Sequence, residues 1–473
     1  MGKLFRSGIS VHGRLLPRRK ATSAAGVQMM PIWHGSALLA MILGLLLAAC
    51  TPSPLPVPTA TVTPTPTLRA MFRPTRTAIP YPPPPTSTVP MDDLLAMVES
   101  RLPRAEGWGN LPQAQAVPLV GPPGKPHLWV VYAHILGTDR QIVAVYTHED
   151  GRWRELAWRE FSFDEMPIPR FFPDVTTVQI TADRAWFVVD GFFGMHGSTW
   201  TLFSFDGRQL ALQISLVNDA YNLGQIRDIN DDGVPDVVAD ESDYYSLCGG
   251  CDVGKISLQA WAWDPAAERM VRKYLSVAPS TTAQEPAARL NNAAVRLAYA
   301  GLWKDAGRLM DQARARLAVG QPVLTDTVRW IEGIIRAHTA AMLAAIAGPR
   351  RGGGSPAASY LFYGDYTAVA DLLRRVPVDV LFQNSGSQVV ELLWPLLNKQ
   401  ARAATHAALA VQPELAPAHF LRGWFAYQEQ DYATARAEVG LAAALAPTDV
   451  FYQAALVRLN ALDAESATPR PTP

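Results

Sequence analysis

The densest set of oxygen ligands in the chain is the run Asp228-Ile-Asn-Asp-Asp-Gly-Val-Pro-Asp236. Side-chain oxygens fall at Asp228, Asn230, Asp232 and Asp236, and Gly233 stands among them. A hard cation such as Ca2+ is held by just such a shell of oxygens. Glycine permits the sharp turn, and the Val234 carbonyl adds a further ligand. The ion's role would be structural, because carboxylates crowded into one turn repel until a cation neutralises them. The same residues also describe a solvated Asx-rich turn that holds no ion. Both readings stand at this point.

The three cysteines are Cys50, Cys248 and Cys251. A Cys-Gly-Gly-Cys loop is a disulfide, a redox dithiol or half of a zinc site. A redox pair wants its first thiol at a helix N-terminus, whereas Cys248 follows Asp243-Tyr-Tyr-Ser-Leu between strand-like segments. Zinc wants four ligands, and the chain has no second Cys pair or spaced His pair. A loop-closing Cys248–Cys251 bridge is the favoured reading for an exported chain.

Catalytic signatures are missing. There is no Gly-x-Ser-x-Gly elbow, His-Glu-x-x-His or phosphate-binding Gly-rich loop. Gly194-Met-His196-Gly-Ser198 pairs a His with a Ser but offers no third member, so it reads as a glycine-rich turn. Lys+Arg and Asp+Glu both number 42, for a net charge of +0. That balance argues against nucleic acid as a partner, since phosphate contacts need a concentrated basic face. The dense tryptophans, including Trp261 and Trp263, suit a strand core, and less often stack on sugars.

Several segments must position these groups. Basic residues from Lys3 to Lys20 precede the apolar run Ser36–Ala48, and Leu47-Ala-Ala-Cys50 closes it. The run is too short to span a bilayer and has the layout of an export signal. It resembles the lipobox of bacterial lipoproteins, which implies cleavage before Cys50 and acylation of its thiol. Residues 1–50 are therefore expected to be signal peptide and lipobox. Residues 51–90, rich in Pro and Thr, form an expected disordered, extended tether, reaching on the order of 100 Å. Residues 91–280 show period-2 runs broken by turn signals such as Glu149-Asp-Gly151 and Asp206-Gly207. A loose recurrence of about 45 residues suits propeller blades or sandwich hairpins. On a turn between strands, the 228–236 loop is similar to the Asp-x-Asn-x-Asp-Gly loops of FG-GAP repeats. It departs from the EF-hand, since Ala239 replaces the bidentate Glu and no helices flank it.

Residues 281–465 read as Ala-rich amphipathic helices, and residues 466–473 as a disordered tail. Ala408-Leu-Ala-Val-Gln-Pro413 and Ala442-Ala-Ala-Leu-Ala-Pro447 are similar phrases 34 residues apart. With Gly423 and Ala435 at the expected helix crossing, this stretch resembles the tetratricopeptide repeat. Ala294 and Ala306 hold equivalent places in an earlier unit, and about four helix pairs with a terminal helix are expected.

The expected fold class is thus multidomain: an all-β domain, propeller-like or sandwich, followed by an all-α tetratricopeptide-like array. The resemblance implies a lipid-anchored, non-enzymatic protein at the outer face of a bacterial membrane. It would bind a protein or peptide in its helical groove. Cell-wall glycan binding by the β domain is the alternative, and an extracytoplasmic hydrolase the third.

Overall fold

The computed structural model describes residues 91–102, 112–121, 127–135, 140–162, 165, 171–192, 197–218, 223–242, 255–318, 320–348, 356–383 and 395–467. The chain divides into Met1–Pro82 and Pro83–Pro473, and every described residue belongs to the second unit. Cys50 with its leader, the tether, Cys248, Cys251 and His196 lie outside the described residues.

After helix α1 (Met91–Arg101) the described residues form twelve strands in three antiparallel sheets. The first joins β1 (Pro112–Leu119), β2 (Leu128–Ile135), β3 (Arg140–Glu149) and β4 (Arg152–Ser162) in sequence order. The second joins β5 (Phe171–Val178), β6 (Ala185–Phe192), β7 (Ser198–Phe205) and β8 (Leu210–Asn218). The third joins β9 (Gly224–Arg227), β10 (Asp236–Asp240), β11 (Leu258–Asp264) and β12 (Arg269–Lys273).

Side chains alternate across each strand, and here both faces are apolar, so each sheet is an inner layer. From the first sheet, Val130, Tyr132, Val143 and Val145 meet Phe187, Val189, Phe203 and Phe205 of the second. The opposite face, with Trp129, Val131, Ala144 and Tyr146, is covered by Leu94 and Val98 of α1. The second sheet turns Trp186, Val188, Trp200 and Leu202 toward Val237, Ala239 and Met270 of the third.

Of three register shifts among the described strands, two reset this alternation within the cores just named. The β7–β8 register shifts between Leu202 and Phe203. As a result Leu210 and Leu212 face the first sheet, whereas Ile214 and Leu216 face the third. One extra residue is what moves same-parity side chains to the other face. A second shift, between Val145 and Tyr146, does the same in β4.

The helical region follows: α2 (Pro286–Tyr299), α3 (Trp303–Ala315), α4 (Pro322–Ala347), α5 (Ala357–Tyr363), α6 (Tyr366–Leu373), α7 (Val378–Leu381), α8 (Pro395–Val411), α9 (Ala416–Gln428), α10 (Tyr432–Leu445) and α11 (Val450–Ala467). Buried alanines let α2 and α3 pack closely, among them Ala294, Ala306 and Ala313. Two turns share one chemistry: the Asp365 carboxylate accepts from Ala368 N at 3.2 Å and caps α6. Asp431 accepts from Thr434 N at 3.1 Å and caps α10. Helix α4, at 26 residues, interrupts the succession of short pairs.

Candidate functional site

The 228–236 loop joins β9 to β10, as its apolar flanks predict, and its carboxylates are used locally. Asp228 accepts from Asp232 N at 3.2 Å and Gly233 N at 2.8 Å. Asp232 accepts from Val234 N at 2.7 Å and from Asn230 Nδ2 at 2.7 Å. Positive φ at Asp231 (59°) and Gly233 (89°) closes the turn. Asp236 is buried and accepts from Ile229 N at 3.1 Å. Burial, reinforced by Asp232 and Asp228, pushes its carboxyl up to about 7. Among the described residues no group of three His, Cys, Asp or Glu side chains stands ready to hold a metal. The loop as it stands is a network of Asx turns. Taking up a cation requires Asp228 and Asp232 to exchange backbone N–H partners for the ion.

The same loop grips the helical region, which the sequence did not reveal. Ile229 O accepts from Arg336 Nη2 at 3.0 Å. A Cβ on Gly333 would stand 2.2 Å from that carbonyl, so α4 can rest on the loop only with glycine there. Asp231 pairs with Arg314 at 3.6 Å. Ile229, Val238, Ala260 and Ala262 close one core cluster with Trp330 and Ile334 of α4. His338 Nε2 lies 3.2 Å from Leu258 N and 3.1 Å from Leu258 O, and its ring stacks on Trp303 at 4.0 Å. Burial pushes this imidazole down to about 4, against the opposing pull of Leu258 and Asp240. Gly333 and His338 interrupt a long Ile/Ala-rich helix, but neither residue type says by itself what that face meets.

In the terminal pair, a Cβ on Gly423 would meet Val439 Cγ2 at 2.7 Å and Ala435 O at 2.9 Å. The helices therefore cross where the sequence placed the small residues. Ala408, Ala435 and Ala442 are fully buried, and Pro447 follows the α10 C-cap at Ala446. Beside the crossing, His419 contacts the Glu438 carboxylate through Nδ1 and the Pro413 carbonyl through Nε2, each at 2.7 Å. Burial alone would raise Glu438, but Arg422 and His419 hold it below the usual carboxylate range.

Several of the described tryptophans of the β region pack against neighbouring rings and side chains. Trp186 meets Trp263 edge-on at 5.0 Å, Trp129 meets Trp153 at 6.0 Å, and Arg101 lies over Trp158. Among the described residues no helix is long and apolar enough to cross a membrane. Compared with known protein families, with curated proteins and with solved structures, the chain matches none of them.

Proposed function

We propose that this chain is an extracytoplasmic lipoprotein, anchored through acylated Cys50, whose helical repeats bind a protein or peptide without catalysis. The observation that carries the reading is the Gly423–Ala435 crossing of α9 and α10, set within two phrases that recur 34 residues apart. Small residues at a helix crossing, capped turns and short antiparallel pairs are what a tetratricopeptide-like array needs. The face-to-face packing of three four-stranded meanders suits blade-like sheets stacked in an open row better than a two-sheet sandwich. Ca2+ in the 228–236 loop belongs to the same reading as a structural ion. It would relieve the repulsion that Asp228 and Asp232 impose on Asp236.

Two experiments test this. Cells expressing the full chain are fed labelled palmitate, with Cys50→Ser as control. Label on the parent and none on the variant supports the anchor, and an unlabelled parent overturns it. The soluble chain without its leader is then used as bait, with and without Ca2+. Saturable capture of one protein, lost with substitutions in the helical groove, supports the scaffold. Retention of glycans alone overturns it in favour of cell-wall binding.

A further inference from the structure

We propose that α9 and α11 form a site for a short peptide segment, and that residues 377–382 of this chain fill it as an internal competitor. The segment that fits carries an acidic residue two positions before a bulky aliphatic–aromatic pair. This rests on the scaffold reading above, and it names what the scaffold takes and how access to it is controlled.

Helix α7 is four residues long, too short to hold itself helical in water. Its backbone bonds stay within the segment: Leu381 N donates to Pro377 O at 3.2 Å and Phe382 N to Val378 O at 3.3 Å. The carbonyls of Leu381 and Phe382, at its C-terminal end, find no partner inside so short a helix. Side chains of Trp424, Tyr427 and Gln428, spaced i, i+3 and i+4 on α9, take them instead. Trp424 Nε1 donates to Leu381 O at 3.0 Å, and Gln428 Nε2 donates to the same oxygen at 3.3 Å. The Tyr427 hydroxyl donates to Phe382 O. Helix α11 packs on α7 as well, and its Arg458 pairs with Asp379 at 3.0 Å.

Seen from α9, the same bonds define a ligand. Trp424 and Tyr427 are buried, and an indole N–H or phenol O–H left there without an acceptor is costly. This face therefore requires carbonyls from two successive residues, and its donors do not distinguish whose chain supplies them. Side-chain choice comes from the surroundings. Leu381 and Phe382 are fully buried, and the Phe382 ring meets Tyr427 edge-on at 5.0 Å, which selects a bulky apolar pair. Asp379 is 71% exposed, so its pairing with Arg458 is weak in energy but fixes the sign of charge. Among the described residues no backbone-to-backbone bond joins α7 to another element. An incoming segment of the same chemistry thus replaces these contacts like for like and breaks no ladder. Because α7 is tethered, its effective concentration is on the order of millimolar, and a free copy competes poorly with it.

The test is fluorescence anisotropy of a labelled peptide copying Val376 to Gln383, titrated with the full chain in detergent. The parent is expected to bind it weakly. Asp379→Arg sets a like charge against Arg458 at an exposed position and should keep the fold by circular dichroism. It should tighten peptide binding about fivefold or more, because the internal segment is loosened while Arg458 is freed for the peptide's acid. Leu381→Asp with Phe382→Asp should open the site further. Adding Tyr427→Phe to Asp379→Arg keeps the ring but removes a donor, and should weaken the peptide about tenfold. A folded Asp379→Arg chain that binds the peptide no tighter than the parent overturns the competitor. So does an affinity that Tyr427→Phe leaves unchanged. Equal capture of a protein partner by parent and Asp379→Arg overturns the competitor and leaves the scaffold reading standing. Tighter peptide binding by Asp379→Arg, with no protein captured by either chain, supports the site and overturns the scaffold.

Discussion

His338 is a base that folding strips of its proton. Its imidazole titrates near 6.5 in an unfolded chain but near 4 in the seam, because burial disfavours the charged form. The stability tied to it is present above about pH 6.5 and is lost as pH falls toward 4, where the unfolded chain takes up a proton that the folded one refuses. The loss should reach roughly 2–4 kcal/mol at the acid end. Urea titrations between pH 7 and 4 should show a steep decline in the parent and a flatter one in His338→Phe, which keeps the ring against Trp303. Equal slopes would sink the account. At this scale the sequence announced chemistry where residue types repeat at a spacing, as in Asp228 to Asp236, and was silent where one residue matters. Nothing about His338 itself, one of nine histidines, reveals that it will meet Leu258 across the fold.

Elements were more legible than their edges. Strands β2, β3, β6 and β7 are apolar on alternating and even successive positions, and they lie in the middle of their sheets. Strand β1, Pro-Gln-Ala-Gln-Ala-Val-Pro-Leu, and the four-residue β9 carry little periodic signal because they are edge strands, paired on one side only. That is why the sheets begin at Pro112, Phe171 and Gly224, farther apart than the roughly 45 residues that the apolar runs suggest. Among helices, Asp-Tyr recurs at Asp365-Tyr366 and Asp431-Tyr432, and in both places the aspartate caps the next helix. Asp365→Ala and Asp431→Ala should each cost about 1 kcal/mol. Chemical denaturation should show the two losses adding in the double variant, since the caps serve different helices. A double variant no less stable than either single one would refute independent capping.

At the scale of the whole described fold, the sequence showed a β half and an α half but not that they are one body. The contact that joins them is a carbonyl, Ile229 O, seated against a glycine, and neither group has a hydropathy signature. Gly333→Ala puts a Cβ into backbone that cannot move aside cheaply. A destabilisation of about 1–3 kcal/mol is expected. Calorimetry should then show one melting transition in the parent and two in the variant, as the halves lose their coupling. A single transition in both, with an unchanged midpoint, would refute the coupling. The layering has a consequence for how such chains lengthen or shorten. The three sheets form a row ended by α1 on one side and α4 on the other, and nothing requires the last sheet to find the first. A closed ring fixes its own membership, whereas a row between two bookends does not. Gain or loss of one complete meander would still leave every remaining face covered, so length variation among descendants of this architecture should come in whole-sheet steps.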